Sequence, residues 1–268
     1  MQFGELEVLP VLDGVAHLPA TDVFAAGKGK DAADWAPHQQ FVDAGGQLEI
    51  ALGGFLVRGG GDRVVLVDAG IGTLQAGPFV GGQLLASLAS YGVGPEDITD
   101  VVFTHLHFDH VGWATQKGAV VFANATYRCH ERDWEYFVIG PDGGAARKLG
   151  PVESRLVTWA GGGPLLPGID VQSAEGHTPG STIIVLSSGT ARALLLGDVV
   201  HCPVELLDDE WAGMGDVDPE LAIRTRVALA RELEGQDVPV AAAHFPGLQW
   251  GRLLPAEGRR SWVVDSGT

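Results

Sequence analysis

Cysteine is scarce. Only Cys129 and Cys202 occur in 268 residues, so no disulfide framework staples this chain and a buried core must stabilise it. Positive charge is short as well: 17 lysines and arginines face 34 aspartates and glutamates, a formal net charge of −17. A surface of that sign repels phosphate backbones and anionic lipid, which sets aside nucleic acid and membrane as partners. No stretch approaches the roughly 18 consecutive apolar residues of a membrane span. Met1-Gln2-Phe3-Gly4-Glu5 has neither the basic start nor the apolar run of an export signal. Together these absences point to a cytoplasmic protein whose partner is a small neutral molecule.

What is present suits one large domain over 1–268. Apolar residues make up 46%, and the 39 glycines and 15 prolines are spread along the chain, as in a fold with many short turns. Residues 3–12 alternate as an opening strand, which Val15 to Pro19 continue after a turn at Asp13-Gly14. Residues 20–46, with Phe24, Trp35 and Phe41, are too long for an ordinary connection. They read as a substrate-side loop or the arm of a homodimer. Leu48–Arg58, broken at Gly53-Gly54, and Arg63–Asp68 form a hairpin across Gly59-Gly60-Gly61-Asp62. Leu84, Leu85, Leu88 and Tyr91 stand at helical spacing before Gly92. Ala119–Ala123 reads as a strand, Thr126–Phe137 as a helix, 138–150 as a loop and 199–217 as irregular. Ile169–Ser173, Thr182–Ser187 and Arg192–Leu196 read as strands. Asp218-Pro219 starts a helix that runs to about Glu234. Val238–Ala243 is a last core strand, and the tail can add an edge strand. The chain divides into two halves near residue 165.

The chemistry gathers at strand ends. After the apolar run Val101-Val102-Phe103 comes Thr104-His105-Leu106-His107-Phe108-Asp109-His110-Val111-Gly112. In an extended chain a period of two sends His105, His107 and Asp109 to one side, and a turn brings His110 to the same point. Imidazole and carboxylate suit a borderline divalent ion without any thiolate. His177 sits in a tight loop, Glu175-Gly176-His177-Thr178-Pro179-Gly180-Ser181. Asp198 and His244 each follow a buried apolar run. Asp68, at the end of Val64-Val65-Leu66-Val67, either orients a metal-binding histidine or ties down the loop after it.

These motifs, THLHFDHVG, GHTPGS, LLLGD and AHFPG with VLVDAG upstream, resemble the metallo-β-lactamase superfamily over nearly the whole chain. The resemblance implies an α/β (α+β) fold, a four-layer αβ/βα sandwich of two mixed sheets flanked by helices. It also implies two zinc ions, the first held by His105, His107 and His177, the second by Asp109, His110 and His244, with Asp198 between them. The implied chemistry is attack by a metal-bridging hydroxide on a neutral lactone or carboxylic ester, with Asp109 orienting or shuttling the proton. A phosphotriester is the alternative substrate, and a glyoxalase II-type thioester a more distant one. Within the superfamily the chain looks like the branch of N-acyl-homoserine lactonases and methyl parathion hydrolase. Lactonases of that branch often carry a tyrosine shortly after the bridging aspartate. His201 occupies that vicinity here, either as a donor to the developing oxyanion or in plain packing. Phe24, Trp113, Trp134 and Trp211 are candidates for the pocket wall, with core or surface packing the more usual place for any one such ring.

Overall fold

In the computed structural model, which describes all residues except 25, 60, 141–142, 257 and 266–268, the central strands feed two cores at once. Along the strand Gly61–Val67, Val65 and Val67 enter one apolar cluster and Leu66 enters another. Val101 and Val102 divide the same way, as do Ile183 and Ile184 and then Leu194 and Leu195. A strand buried on both faces reads as a continuous apolar run, which is why these segments show little alternation in sequence. Each such side chain contributes about 2 kcal/mol by leaving water.

Among the described residues the strands make two large mixed sheets, of nine and seven strands. The first comes from the N-terminal half. Its order runs Leu156–Trp159, Thr126–His130, Asp100–Val102, Gly61–Val67, Gln47–Gly59 and Leu6–Pro19, ending in two short strands. The pairings from Gly61–Val67 outward to Leu156–Trp159 are parallel, and the others antiparallel. The second sheet runs from Gly163–Leu166 through Thr182–Ser188 to Arg259–Val264. Between the sheets lies a core of Phe3, Val8, Phe55, Val65, Ile184, Leu195 and Trp250 among others. The helix Leu84–Ser90 and the helical stretches Glu131–Trp134, Glu135–Ile139 and Ala146–Leu149 cover the outer face of the first sheet. Pro219–Glu234 covers the outer face of the second. The result is the four-layer αβ/βα sandwich, with each half of the chain supplying one sheet and its helices. Among the described residues no helix is long and apolar enough to cross a membrane.

Several local expectations are corrected. Asp13-Gly14 is not a turn: Leu6–Pro19 is a single strand with a bulge between Leu12 and Gly14. Gly53-Gly54 does not break its strand, which runs Gln47–Gly59; the hairpin tip at Gly60 lies outside the described residues. Thr126–His130 is a strand, and helical structure starts only at Glu131. Parallel pairing on both sides overrides the segment's helical reading. A short helix, Ala146–Leu149, stands where a loop is expected, and another, Val204–Leu207, in the irregular stretch. The tail supplies two strands, Gly251–Ala256 and Arg259–Val264. In the long segment, Ala32–Phe41 is a 3-10 helix, and its Trp35 packs with Phe24 and Trp211.

The bulge has a purpose visible in the side chain it turns inward. Asp13 is fully buried and accepts five hydrogen bonds: the N–H groups of Ile71 and Gly72 on Oδ2, and those of Gly82, Leu84 and the Trp113 indole on Oδ1. One carboxylate thereby fixes three loops beside the metal-ligand stretch. Gly112 follows from the same crowding, because a Cβ there would collide with the backbone of Ile71 and Gly72. Replacing Asp13 by Asn points an amide NH₂ at donors that need an acceptor. Asp13→Asn is expected to lower unfolding free energy by about 3–5 kcal/mol, measured by urea denaturation; a loss under about 1 kcal/mol would contradict this role for the carboxylate.

Candidate metal centre

The seven side chains come together at one edge of the sandwich, between the sheets. His105, His107, Asp109 and His110 lie on the loop after Asp100–Val102. His177 comes from the loop between Ile169–Ser173 and Thr182–Ser188, Asp198 from the turn after Ala191–Leu195, and His244 from the loop after Val240–Ala241. All are buried except His107, which is partly exposed. Two groups of donor atoms form, each spanning no more than 4.8 Å: His105, His107, His177 and Asp198, and next to them Asp109, His110 and His244.

Hydrogen bonds from behind decide which nitrogen of each ring faces inward. His177 Nδ1 donates to Asp216 Oδ1 at 2.9 Å, His110 Nδ1 to Asp68 Oδ2 at 3.0 Å, and His244 Nδ1 to the Ala51 carbonyl at 2.8 Å. Thr104 gives its hydroxyl proton to Asp68, so its Oγ1 accepts from His105 Nδ1 at 3.1 Å. A neutral imidazole has one donor and one acceptor nitrogen, so the Nε2 atoms of His105 and His177 carry lone pairs, as those of His110 and His244 do once these rings lose their second proton. Those of His105 and His177 lie 3.1 and 2.9 Å from His107 Nδ1. His110 Nε2 lies 3.2 Å from Asp198 Oδ1, and His244 Nε2 3.0 Å from Asp198 Oδ2. His110 Nε2 and Asp198 Oδ1 have no hydrogen-bond partner among the described residues. Lone pairs and carboxylate oxygens converging on two points inside a protein favour a cation at each, and this donor set fits divalent metal ions. Asp198 faces both groups, since Oδ2 is also 3.5 Å from His177 Nε2 and 3.6 Å from His105 Nε2.

The proton affinities express the same crowding. Burial holds His105, His107 and His177 below the ordinary imidazole range. Burial also acts on His110 and His244, but Asp198 and neighbouring carboxylates outweigh it. His110 is raised well above the ordinary range and His244 to about 9. The surrounding carboxylates thus favour the protonated form of His110 and His244, against which a metal ion would compete.

A further row of residues holds this arrangement, and sequence reading missed most of it. Asp133, fully buried, accepts from the N–H groups of Leu106 and Gly180 and from the Thr178 hydroxyl. It clasps the His105–His110 loop to the His177 loop. Of the two roles left open for it, Asp68 takes the first, orienting His110, and it also accepts from the N–H of Thr104, just ahead of the His105–His110 stretch. Arg226, on the helix Pro219–Glu234, places Nε 2.9 Å from Glu205 Oε1, and its guanidinium reaches to 3.6 Å from Asp216 Oδ2. Glu205 in turn accepts from the backbone N–H groups of His201 and Cys202. The signals were faint: a lone Asp inside an apparent helix, and one Arg on the buried face of another.

His201 faces the centre. Its Nε2 is 3.6 Å from Asp198 Oδ2, and its ring lies parallel to that of His244 at 5.7 Å. It lines a cavity of about 160 Å³ with Leu18, Val23, Ile50, Phe79, Phe108 and Met214. The aromatic candidates for that wall lie elsewhere. Phe24 and Trp211 pack with Trp35, Trp134 lies in the core beneath the first sheet, and Trp113 points its indole at Asp13. Large rings fill the core, and smaller aliphatic groups and two phenylalanines wall the cavity.

Comparison with known proteins agrees with this geometry. The model of the metallo-β-lactamase superfamily matches residues 54–244. Metallo-beta-lactamase domain-containing protein 1 of Xenopus laevis is 31% identical over 82% of this chain and 83% of its own length. An N-acyl homoserine lactonase of Bacillus thuringiensis is 24% identical over 66% of this chain and 74% of its own. The structure of AidC, described as a dizinc quorum-quenching lactonase in complex with the product N-hexanoyl-L-homoserine, superimposes with a TM-score of 0.87 at 25% identity, covering 100% of this chain and 97% of that one. The hydrolase AbOPH gives the same score at 23% identity and the same coverage.

Metal-loaded protein is expected to contain two divalent ions per chain by elemental analysis, and His244→Ala to lose one of them. Asp216→Asn, which loosens the His177 ring, is expected to weaken the first site about 10–100-fold in competition with a chromophoric chelator. Because metal displaces the protons on His110 and His244, binding should release protons, read as a buffer-dependent binding enthalpy in calorimetry. Metal content near zero after loading would contradict the assignment.

Proposed function

The chain belongs to the metallo-β-lactamase superfamily of hydrolases, and from that premise we propose that it hydrolyses a neutral lactone or carboxylic ester with two zinc ions. The observation that supports this reading most is the cavity at the metal centre. Its walls are aliphatic and aromatic, and neither Lys nor Arg lines it, so it suits an uncharged scissile group with an apolar arm. The lactonase relatives support the same choice.

His105, His107 and His177 would hold one ion, Asp109, His110 and His244 the other, with Asp198 shared between them. Ions held there would supply Lewis acidity toward the scissile oxygen and make water acidic enough to react near neutral pH. The residues of the chain do the rest. Asp109 Oδ2 lies 3.5 Å from His244 Nε2 at the cavity edge, where it orients the attacking water and takes its proton. His201 stands on the cavity wall with its backbone fixed by Glu205. It donates a hydrogen bond to the oxygen on which negative charge develops. The apolar wall from Leu18, Val23, Ile50 and Phe79 excludes bulk water and seats the acyl arm.

A phosphotriester is also neutral and enters the comparison as a test substrate. On a panel of lactones, aryl esters and phosphotriesters, lactones or carboxylic esters are expected to give the highest kcat/KM. Chelation should remove at least 100-fold of the activity and zinc should restore it. Full turnover by metal-free protein, or a clear preference for phosphotriesters, would overturn this reading. His201→Ala is expected to lower kcat about 10²-fold with metal content unchanged, whereas a packing role would leave kcat within a few-fold.

A further inference from the structure

Cations are few in this chain and most are spoken for. Arg58 pairs with Glu7, Arg63 and Arg128 with Asp100, Arg252 with Asp237 and Asp265, and Arg260 with Asp209 and Glu234. Lys117, Arg147 and Lys148, like Lys30, Arg155, Arg192 and Arg259, have no carboxylate within ion-pair distance among the described residues, and these three line one open cleft of about 820 Å³. Three positive charges on one cleft, with no ion-pair partner among the described residues, stand out in a protein of net charge −17.

The cleft adjoins the metal centre. Phe108, between His107 and Asp109 in sequence, lines both the cleft and the metal cavity, and its exposed ring stands edge-on to Phe79 at 5.9 Å. Ile71, Leu74 and Val111 give the cleft apolar walls beyond Phe108. Lys148 is held in place, its Nζ donating to the Gly112 carbonyl at 2.7 Å and the Thr115 carbonyl at 3.1 Å. Partial burial and the neighbouring Arg147 hold its ammonium below the usual lysine range. Lys117 sits at the tip of the hairpin of Thr115–Gln116 and Ala119–Val120, in the left-handed backbone region. A ligand lying in this space meets both apolar surface and cations.

We infer that this cleft receives the far end of the substrate, an apolar arm that terminates in an anionic group, while the scissile ester or lactone stays uncharged in the metal cavity. The inference rests on the hydrolase reading above and narrows its substrate class. The anion would meet the guanidinium of Arg147 and the ammonium groups of Lys117 and Lys148, whose mutual repulsion it relieves. Carboxylate and phosphate share this chemistry.

Two measurements separate the cleft from the reaction. In the first, zinc-loaded protein is given hexanoyl esters and the matched esters whose acyl arm ends in a carboxylate or a phosphonate. The anionic arms are expected to raise kcat/KM at least 10-fold over the methyl-ended arm, with the advantage falling as salt rises. In Arg147→Gln and Lys117→Gln that ratio should collapse toward one, and Arg147→Lys should keep most of it; the two anionic arms identify which anion is preferred. In the second, calorimetry compares adipate with hexanoate on the same protein, and the dicarboxylate is expected to bind at least 10-fold tighter, again less so in the two Gln variants. Equal treatment of charged and uncharged arms, or a preference that survives both substitutions, overturns the cleft and leaves the hydrolase standing. Tighter adipate binding that the variants abolish, with no ester cleaved, supports the cleft and overturns the hydrolase.

Discussion

The Nε2 lone pairs of His105 and His177 both converge on His107 Nδ1, at 3.1 and 2.9 Å, where one ring proton at most can serve two acceptors and a cation satisfies all three nitrogens. The rest of the structure exists to impose that situation. Each of four histidines is pinned at its outer nitrogen, by Thr104, Asp216, Asp68 or the Ala51 carbonyl, so none can turn its acceptor away. Left free, the rings would rotate and the donor set would dissolve into ordinary hydrogen bonds. The metal centre is therefore a property of the groups behind the ligands as much as of the ligands.

Buried carboxylates recur as the means of holding loops. Asp13, Asp133 and Asp68 each accept backbone N–H groups from segments that would otherwise carry unpaired donors in the interior. Glu205 does the same for the turn at His201. The two sheets give these loops a rigid base, because strands such as Gly61–Val67 are packed on both sides and cannot shift without disturbing two cores. Loop positions are then set by hydrogen bonds that carry direction, which is what ligand geometry requires.

All seven proposed ligands were legible in the sequence for one reason: a polar residue placed at the end of a buried apolar run has few roles other than a site. The strands around Leu66, Ile184 and Leu194 and the helix from Pro219 could be read for related reasons, apolar runs for the strands and an N-cap with proline for the helix. The strand Thr126–His130 was not, because five residues flowing straight into a helix have no boundary of their own. Asp133, Glu205, Asp216 and Arg226 stayed hidden because their meaning depends on which loops the topology brings together, and no local pattern encodes that. Asp13 was misread as a turn residue, since Asp-Gly marks turns and bulges alike. The tryptophans stood open between pocket and core, because ring size suits both, and they lie in the core.

The division of the ligands between the two halves has a bearing on how the molecule is made. His105, His107, Asp109 and His110 belong to the first sheet's half, and His177, Asp198 and His244 to the second's. As the chain leaves the ribosome, the early quartet waits with an incomplete grip while a further 134 residues, as far as His244, are synthesised. Neither sheet alone supplies all the donors of either group, so the complete donor set exists only once the halves have docked.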